Sequence, residues 1–396
     1  MQCQDPRKRA LVMATDFRAQ LPALANKTYF NYGGQGPLPT PALQAITGAW
    51  EQIQELGPFT GAVWPFVEQT TGRLRQHLAR WFGVPPHRLA FTENVTSGCV
   101  LPLWGLPWHP GDELLIGDCE HPGVVAACRE LARRQGLQLA TLPVADLRGT
   151  PSDTEARVLE RLQQRLTPAT RLVVLSHLLW NTGQLMPITA VARQLAGHSR
   201  HPWLLVDGAQ SLGCIPVEQA ADAADIYACT GHKWCCGPEG LGAVALSDRV
   251  LEQAQPTLIG WRSLRSEASG SSSFHSDSRR FEVATSCVPL YAGLEQSLQL
   301  LEAEGSAETR LARIQRRSQR LWQGLQALPR ARALLEVAPP AGLVSFALEG
   351  EVPEATVNRL GQQAIWVRSL DEPHCLRACT HITSTDAEID LLLHSL

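Results

Sequence analysis

The stretch Trp203-Leu-Leu-Val-Asp-Gly-Ala-Gln210 decides the fold. Its first four residues are apolar without alternation. A strand of that kind is covered on both faces, as in a parallel sheet lying between helices. It ends on Asp207, and α/β sheets bind ligands at the carboxyl ends of their strands. Leu172-Val-Val-Leu175 upstream has the same unbroken apolar pattern. Working outward, strands are predicted over 88–92, 113–117, 138–143, 171–176, 203–207, 225–230 and 241–247, with helices over 122–135, 154–166 and 189–195. Seven strands with helical crossovers predict one large α/β domain built on a mostly parallel sheet.

Residues 266–278 form a Ser-rich polar loop, read as a surface excursion or a gate. Beyond it, 290–328 reads as a long helix with a break at Gly305 and an end before Pro329. A strand at 343–346, a helix at 355–363, a strand at 365–369 and a closing helix at 386–396 predict a smaller C-terminal α/β domain. The expected division is a large domain over 17–285 and a small one over 286–396, joined by residues 1–16.

The chain has 396 residues, 44% of them hydrophobic and 18% charged, which is enough for a large core. Its net charge of −3 and lack of a long basic run argue against nucleic-acid or membrane partners. No apolar run reaches the length of a membrane span, and the run at 10–14 is too short for a signal-peptide core. Eleven cysteines without a CxxC form neither a disulfide framework nor a zinc site. Free thiols in a reducing cytoplasm are expected, with no metal.

Only three of the 35 basic residues are lysines: Lys8, Lys27 and Lys233. Lys233 lies in Thr230-Gly-His-Lys-Trp-Cys-Cys236, among small and apolar residues. Arg cannot lose its proton in a protein, whereas a desolvated Lys can, so this Lys points to amine chemistry such as a Schiff base. The bland alternative is a leftover surface Lys. Asp207 at one strand end and Lys233 beyond another suit a pyridoxal ring, the carboxylate holding the ring nitrogen protonated and the amine forming the imine. Taken alone, Asp207 could equally cap the next element. Thr96 and Ser97, after the strand at 88–92, could cradle a phosphate at a helix start or could be ordinary caps. His121 follows another strand and could stack on a flat ring; Asn181 offers a donor to a ring oxygen. No phosphate-binding or dinucleotide glycine motif follows any strand.

Taken together, Asp207-Gly-Ala-Gln210, Thr230-Gly-His-Lys233, Arg280-Phe-Glu-Val-Ala-Thr285 and Leu376-Arg-Ala-Cys-Thr-His381 resemble the class V aminotransferase and cysteine desulfurase family. These are fold type I PLP-transferases, using pyridoxal 5′-phosphate (PLP). Tyr29-Phe-Asn-Tyr-Gly-Gly-Gln-Gly36, Ser176–Gln184 and Gly260-Trp-Arg262 resemble its cystine C-S lyase branch. The resemblance implies that Lys233 bonds the cofactor, Asp207 pairs with its ring nitrogen, Gln210 with its ring hydroxyl, and His121 stacks on it. It places Thr96, Ser97, Thr230 and His232 at the phosphate, and Thr285 at the phosphate of the other subunit of a homodimer. Gly34, Gln35, Trp261, Arg368 and Arg377 would contact substrate, with Arg377 clamping its carboxylate.

Desulfurases carry a nucleophilic Cys on a loop before that Arg. Here Cys375 stands two residues from Arg377, and the glycine-bearing Cys motif is absent. The implied activity is therefore a PLP-dependent carbon–sulfur lyase. It would eliminate the sulfur of cystine or cysteine to give pyruvate, ammonia and a persulfide or sulfide, and the resemblance implies a sulfur-acceptor protein in iron–sulfur cluster assembly. The alternatives are a cysteine desulfurase giving alanine and an enzyme persulfide, an aminotransferase or epimerase of the same fold, and a catalytically silent binding module.

Overall fold

The computed structural model describes residues 16–266 and 273–396. The expectation for 1–16 falls almost wholly on residues 1–15, and part of that for the Ser-rich loop on 267–272, outside the described residues. Strand β1 (Thr28–Tyr29) leads through a glycine-rich segment to α1 (Thr40–Leu56) and α2 (Val63–Phe82). Then follow β2 (Leu89–Thr92), α3 (Val95–Gly105), β3 (Glu113–Gly117), α4 (Pro122–Gln135), β4 (Gln138–Leu142) and α5 (Pro151–Arg165). The series continues with β5 (Thr170–Ser176), α6 (Ile188–Ala196), β6 (Trp203–Asp207), α7 (Glu218–Ala223), β7 (Ile226–Thr230), β8 (Gly242–Leu246) and α8 (Asp248–Gln253).

Seven of these strands form one sheet in the order β2-β8-β7-β6-β5-β3-β4. From β7 to β4 the pairs are parallel, and β8 alone runs against its neighbours. Every residue of β2, β6, β7 and β8 is buried, as the unbroken apolar runs require. The alternation of side chains across the pleat splits the core in two. Leu204, Val206, Val173 and Leu175 enter one cluster with α2, α5 and α6, while Leu205, Leu172 and Val174 enter the other with α3 and α4. Each fully buried Leu or Val contributes about 1.5–3 kcal/mol.

The chain continues through α9 (Val288–Ala303), α10 (Ala307–Ala327), β9 (Ala331–Ala333), β10 (Leu343–Leu348), α11 (Pro353–Gln362), β11 (Ile365–Trp366), β12 (Arg368–Asp371), β13 (His374–Cys379) and α12 (Asp386–Ser395). Strands β12-β13-β10-β9 make an antiparallel sheet, and β1 pairs in parallel with β11. Phe30, Leu321, Leu325, Phe346, Leu360 and Ile389 share a third core there. Helix α9 lies along α1 and α2.

The seven predicted strands match the observed ones to within a residue. The strand expected over 365–369 is two short strands separated by Val367, because the chain leaves its pairing with β1 to pair with β13. Strand β13, interrupted in sequence by Arg377, has too little apolar pattern to be read. Helix α1 buries only Ala42 and Ala49, so its periodicity is weak. The predicted helix break at Gly305 is present, between α9 and α10, with φ +115. Thr309 crowds that site: a Cβ on Gly305 would lie 2.9 Å from its methyl group. Gly305→Ala should therefore cost roughly 1–3 kcal/mol, read as a lowered midpoint in thermal or urea unfolding. An unchanged midpoint would show that the turn needs no left-handed residue.

Candidate active site

Strands β5, β6 and β7 end side by side, because their register pairs Ser176 with Asp207 and Asp207 with Ala228. Over these ends opens a small cavity of about 40 Å³, lined by Thr96, His121, Ser176, Trp180, Asp207, Gln210 and Lys233. Asp207 is buried, and its Oδ1 accepts from the Ala209 N–H at 2.9 Å. It thus caps its own turn and lines the cavity as well.

Lys233 follows β7 in the loop that covers the cavity. Burial brings its amine down to about 8; Asp207 opposes that shift, and Arg377 and Arg368 reinforce it. His121 caps α4, its Nδ1 accepting from the Gly123 N–H at 3.2 Å, and its ring meets Trp180 edge-on at 5.9 Å. Burial lowers its pKa, against the pull of Asp207. The imidazole beside the cavity is therefore biased toward its neutral form.

Thr96 and Ser97 open α3, where the Asn94 side chain accepts from the Ser97 N–H at 2.9 Å. Thr230 Oγ1 bonds His232 Nδ1 at 2.7 Å beside the same loop. Gln210 is tied on both sides of its amide. It donates to Gly33 O at 2.9 Å and accepts from Trp234 Nε1 at 2.9 Å. It therefore joins the glycine-rich segment to the Lys233 loop.

Arg377 is 1% exposed. Its Nη1 donates to Trp180 O at 2.6 Å, while Nε and Nη2 are buried without a protein partner. Burial lowers its pKa, and Arg368, its register partner on β12, adds to that effect. Asn181 donates to Glu372 O at 3.0 Å and leaves its buried Oδ1 unpartnered. Gly33 closes the site: a Cβ there would lie 3.0 Å from Arg377 Nη2 and 2.9 Å from Gln210 Oε1. A Cβ on Gly36 would lie 2.2 Å from Lys233 O, so the Gly33–Gly36 segment needs its glycines in order to lie on the lysine loop. Gly34 sits in that segment, and Gln35 reaches Glu239 at its exposed edge.

Two predicted residues stand apart. Trp261 is exposed over a surface pocket with Thr71 and Arg75. Thr285 is exposed in another pocket with Thr92, Glu93 and Tyr291. Neither lines the Lys233 cavity of its own chain. Sequence reading passed over Glu120, although it directly precedes His121. Its carboxyl accepts from Ser176 N–H and Oγ–H, both at 2.8 Å, and burial pushes it up to about 8. An acidic residue at a strand end was the only signal.

PLP needs an amine for its aldehyde, an anion for its ring nitrogen, donors for its phosphate, and a clamp for the carboxylate of the amino acid it activates. The unpaired donors of Arg377 and the Lys233–Asp207 pair on one cavity fit that demand.

Residues 66–392 match the sequence profile of the class V aminotransferases. The structure resembles that of the cystine C-S lyase C-DES in complex with its reaction product cysteine persulfide, with TM-score 0.90 and 44% identity over 95% of this chain and 98% of that one. A variant of C-DES with glycine covalently linked to its PLP cofactor gives TM-score 0.91 at the same identity over 96% of this chain and 98% of that one. A probable cysteine desulfurase of Pseudomonas aeruginosa is 33% identical over 74% of this chain and 71% of its own length. The isopenicillin N epimerase of Streptomyces clavuligerus is 30% identical over 61% of this chain. The match spans 58% of that epimerase, less than two thirds of its length.

The charge around Lys233 can be tested without turnover. In the unloaded protein, acylation of Lys233, followed by mass spectrometry, should be half-maximal near pH 8. Asp207 favours the ammonium, so Asp207→Asn should move that midpoint to lower pH. An unmoved midpoint would show that the two groups do not interact.

Proposed function

The chain belongs to the class V aminotransferase family, and on that premise we propose that it is a PLP-dependent carbon–sulfur lyase acting on cystine or cysteine. The observation that carries the reading is the buried Arg377 with two unpaired donors beside the desolvated Lys233. When bound, PLP supplies an aldehyde that captures the amine and a ring that accepts the electron pair left at Cα.

The chain's own residues do the rest. Lys233 holds the cofactor until substrate arrives. Its freed amine, near neutrality because it is desolvated, then takes the proton from substrate Cα at Nζ. Asp207 would pair with the ring nitrogen, and His121 would lie against the ring face. Thr96, Ser97, Thr230 and His232 hold the phosphate, Asn181 faces the ring oxygen, and Gln210 steadies the cavity wall. Arg377 binds the substrate carboxylate through the donors it leaves free, and Arg368 adds charge at the cavity mouth. Once the Cα–H bond is broken, the pair left at Cα forms a Cα–Cβ double bond and the Cβ–S bond breaks, sulfur leaving with the electrons of that bond. A persulfide is a weaker base than a thiolate, so cystine should be the better substrate. The remaining three-carbon fragment hydrolyses to pyruvate and ammonia.

The desulfurase reading needs an accessible thiolate near the substrate. Cys375 is wholly buried, and burial pushes its thiol up to about 11. Cys287, the one exposed cysteine among the described residues, lies outside the Lys233 cavity of its own chain. That supports elimination over persulfide transfer to the enzyme. A homodimer, in which Thr285 and Trp261 serve the partner's site, is part of the proposal and accounts for their exposure. Delivery of the released sulfur to an acceptor for iron–sulfur clusters rests on the resemblance alone. Among the described residues no helix is long and apolar enough to cross a membrane.

Incubation with cystine should yield pyruvate and ammonia in equal amounts, and no alanine. Cys375→Ser should keep most of this activity. A folded, PLP-loaded Cys375→Ser protein without activity, together with alanine from the wild type, would establish the desulfurase instead. Arg377→Ala should lower kcat/KM by about 30- to 1,000-fold, mostly through KM, since a desolvated bidentate pair is worth roughly 2–4 kcal/mol. Lys233→Ala and Lys233→Arg should both be inactive, because a guanidinium forms no imine at neutral pH.

A further inference from the structure

Behind Lys233 runs a chain of hydrogen bonds whose direction is set by chemistry. The Trp234 carbonyl can only accept, so the 3.2 Å contact from His381 Nε2 makes Nε2 the protonated nitrogen. Nδ1 is then bare and takes the hydroxyl proton of Thr383 at 3.0 Å. Thr383 Oγ1, having given its proton, accepts from the Tyr32 hydroxyl at 2.6 Å. The Tyr32 and His381 rings are buried and stacked, with centroids 4.3 Å apart and planes 14° apart. Burial brings the imidazole down to about 3, so it stays neutral through the working pH range, as this wiring requires.

The peptide carbonyls of the lysine loop are held one by one. Gly231 O accepts from Gly237 N–H at 2.9 Å, His232 O from Gly36 N–H at 2.8 Å, and Lys233 O from Cys236 N–H at 3.0 Å. Trp234 O is left to His381. On its other side a Cβ at Gly213 would lie 2.9 Å from Trp234 O, so the turn after Asp207 closes the space there. His381 stands four residues beyond Arg377, where the chain leaves β13. Its imidazole thus ties the strand that carries the carboxylate clamp to the backbone that carries the amine.

We propose that His381 is a positioning residue: its Nε2–H holds the Trp234 carbonyl and so sets where the Lys233 amine stands relative to the substrate carboxylate on Arg377. The proposal rests on the reading of Lys233 as the reacting amine. Its role concerns the placement of a base and not the binding of substrate, so it should act on kcat and leave KM nearly alone.

Two substitutions separate the ring from its proton. His381→Phe keeps the stacking on Tyr32 and loses the donor. His381→Gln loses the stacking and keeps an amide N–H that can reach the carbonyl. Hydrogen exchange of the amides at 233–237 is measured in the unloaded protein, alongside kcat and KM for cystine in the PLP-loaded one. His381→Phe should raise loop exchange and lower kcat by about tenfold each, with KM changed less than about threefold. His381→Gln should recover most of both losses. Exchange and kcat within twofold of wild type in His381→Phe would overturn the proposal, as would a Gln variant no better than Phe. Should His381→Phe not fold, Thr383→Val removes the donor that orients the ring, and unchanged loop exchange in that variant would overturn it equally. Absence of wild-type turnover would instead sink the lyase reading, while loop exchange would still decide whether His381 anchors the loop.

Discussion

A guanidinium buried without its full set of partners is the constraint around which this molecule is arranged. Arg377 satisfies one nitrogen on the Trp180 carbonyl and leaves Nε and Nη2 unpaired. An unsatisfied buried donor costs about 1–3 kcal/mol, and more where it is charged. The fold bears that cost by holding the side chain from several directions. Strand β13 fixes its backbone between β10 and β12, Trp180 fixes its head, and Gly33 comes so close that no side chain fits between. On the proposed reading, an anion that arrives with a substrate supplies the missing bonds.

The same logic runs through the large sheet. Parallel strands put their carboxyl ends on one edge, so Ser176 and Asp207 become neighbours although 30 residues of helix and loop separate their strands' ends in sequence. That edge carries two carboxyls: Asp207 lines the cavity, and Glu120, bonded to Ser176, is raised to about 8 by burial, with Asp207 adding to the rise, so that near pH 7 it is mostly neutral. Arg368 and Arg377 stand near enough to Lys233 to act on its charge. Each of the two arginines makes it harder for Lys233 to keep its proton, while Asp207 makes it easier. The amine near neutrality is the balance between desolvation and these opposing charges.

Where the sequence was legible, a single physical cause acted locally. Unbroken apolar runs such as Leu172–Leu175 gave the central strands, because burial on both faces leaves no polar alternation. The break at Gly305 followed from the one residue that tolerates φ +115. Asp207 and Lys233 were visible because a charge at a strand end, and a lysine kept among arginines, both need a reason. What stayed hidden depends on distant partners. β13 became a strand through pairing with β10 and β12, not through its own pattern. Gln210 lines the cavity, and the bonds that hold its amide, to Gly33 O and from Trp234 Nε1, are contacts that only the folded chain brings together. Trp261 and Thr285 match the family's motifs but lie outside the cavity of their own chain, which no local pattern reveals.

The distribution of cations carries the last step. Thirty-five basic residues include only three lysines, and of the two among the described residues Lys233 alone lines the cavity. On the proposed reading the site uses both kinds of cation, for opposite reasons. Arg377 must stay charged while buried, and the delocalised guanidinium does so even though desolvation lowers its pKa. Lys233 must shed its proton in the same surroundings, and the ammonium does that readily once water is removed. Exchanging the two would leave a clamp that could lose its charge and a base that could not. The pair therefore works only in this arrangement, with the permanent charge on the small sheet and the switchable one on the loop after β7.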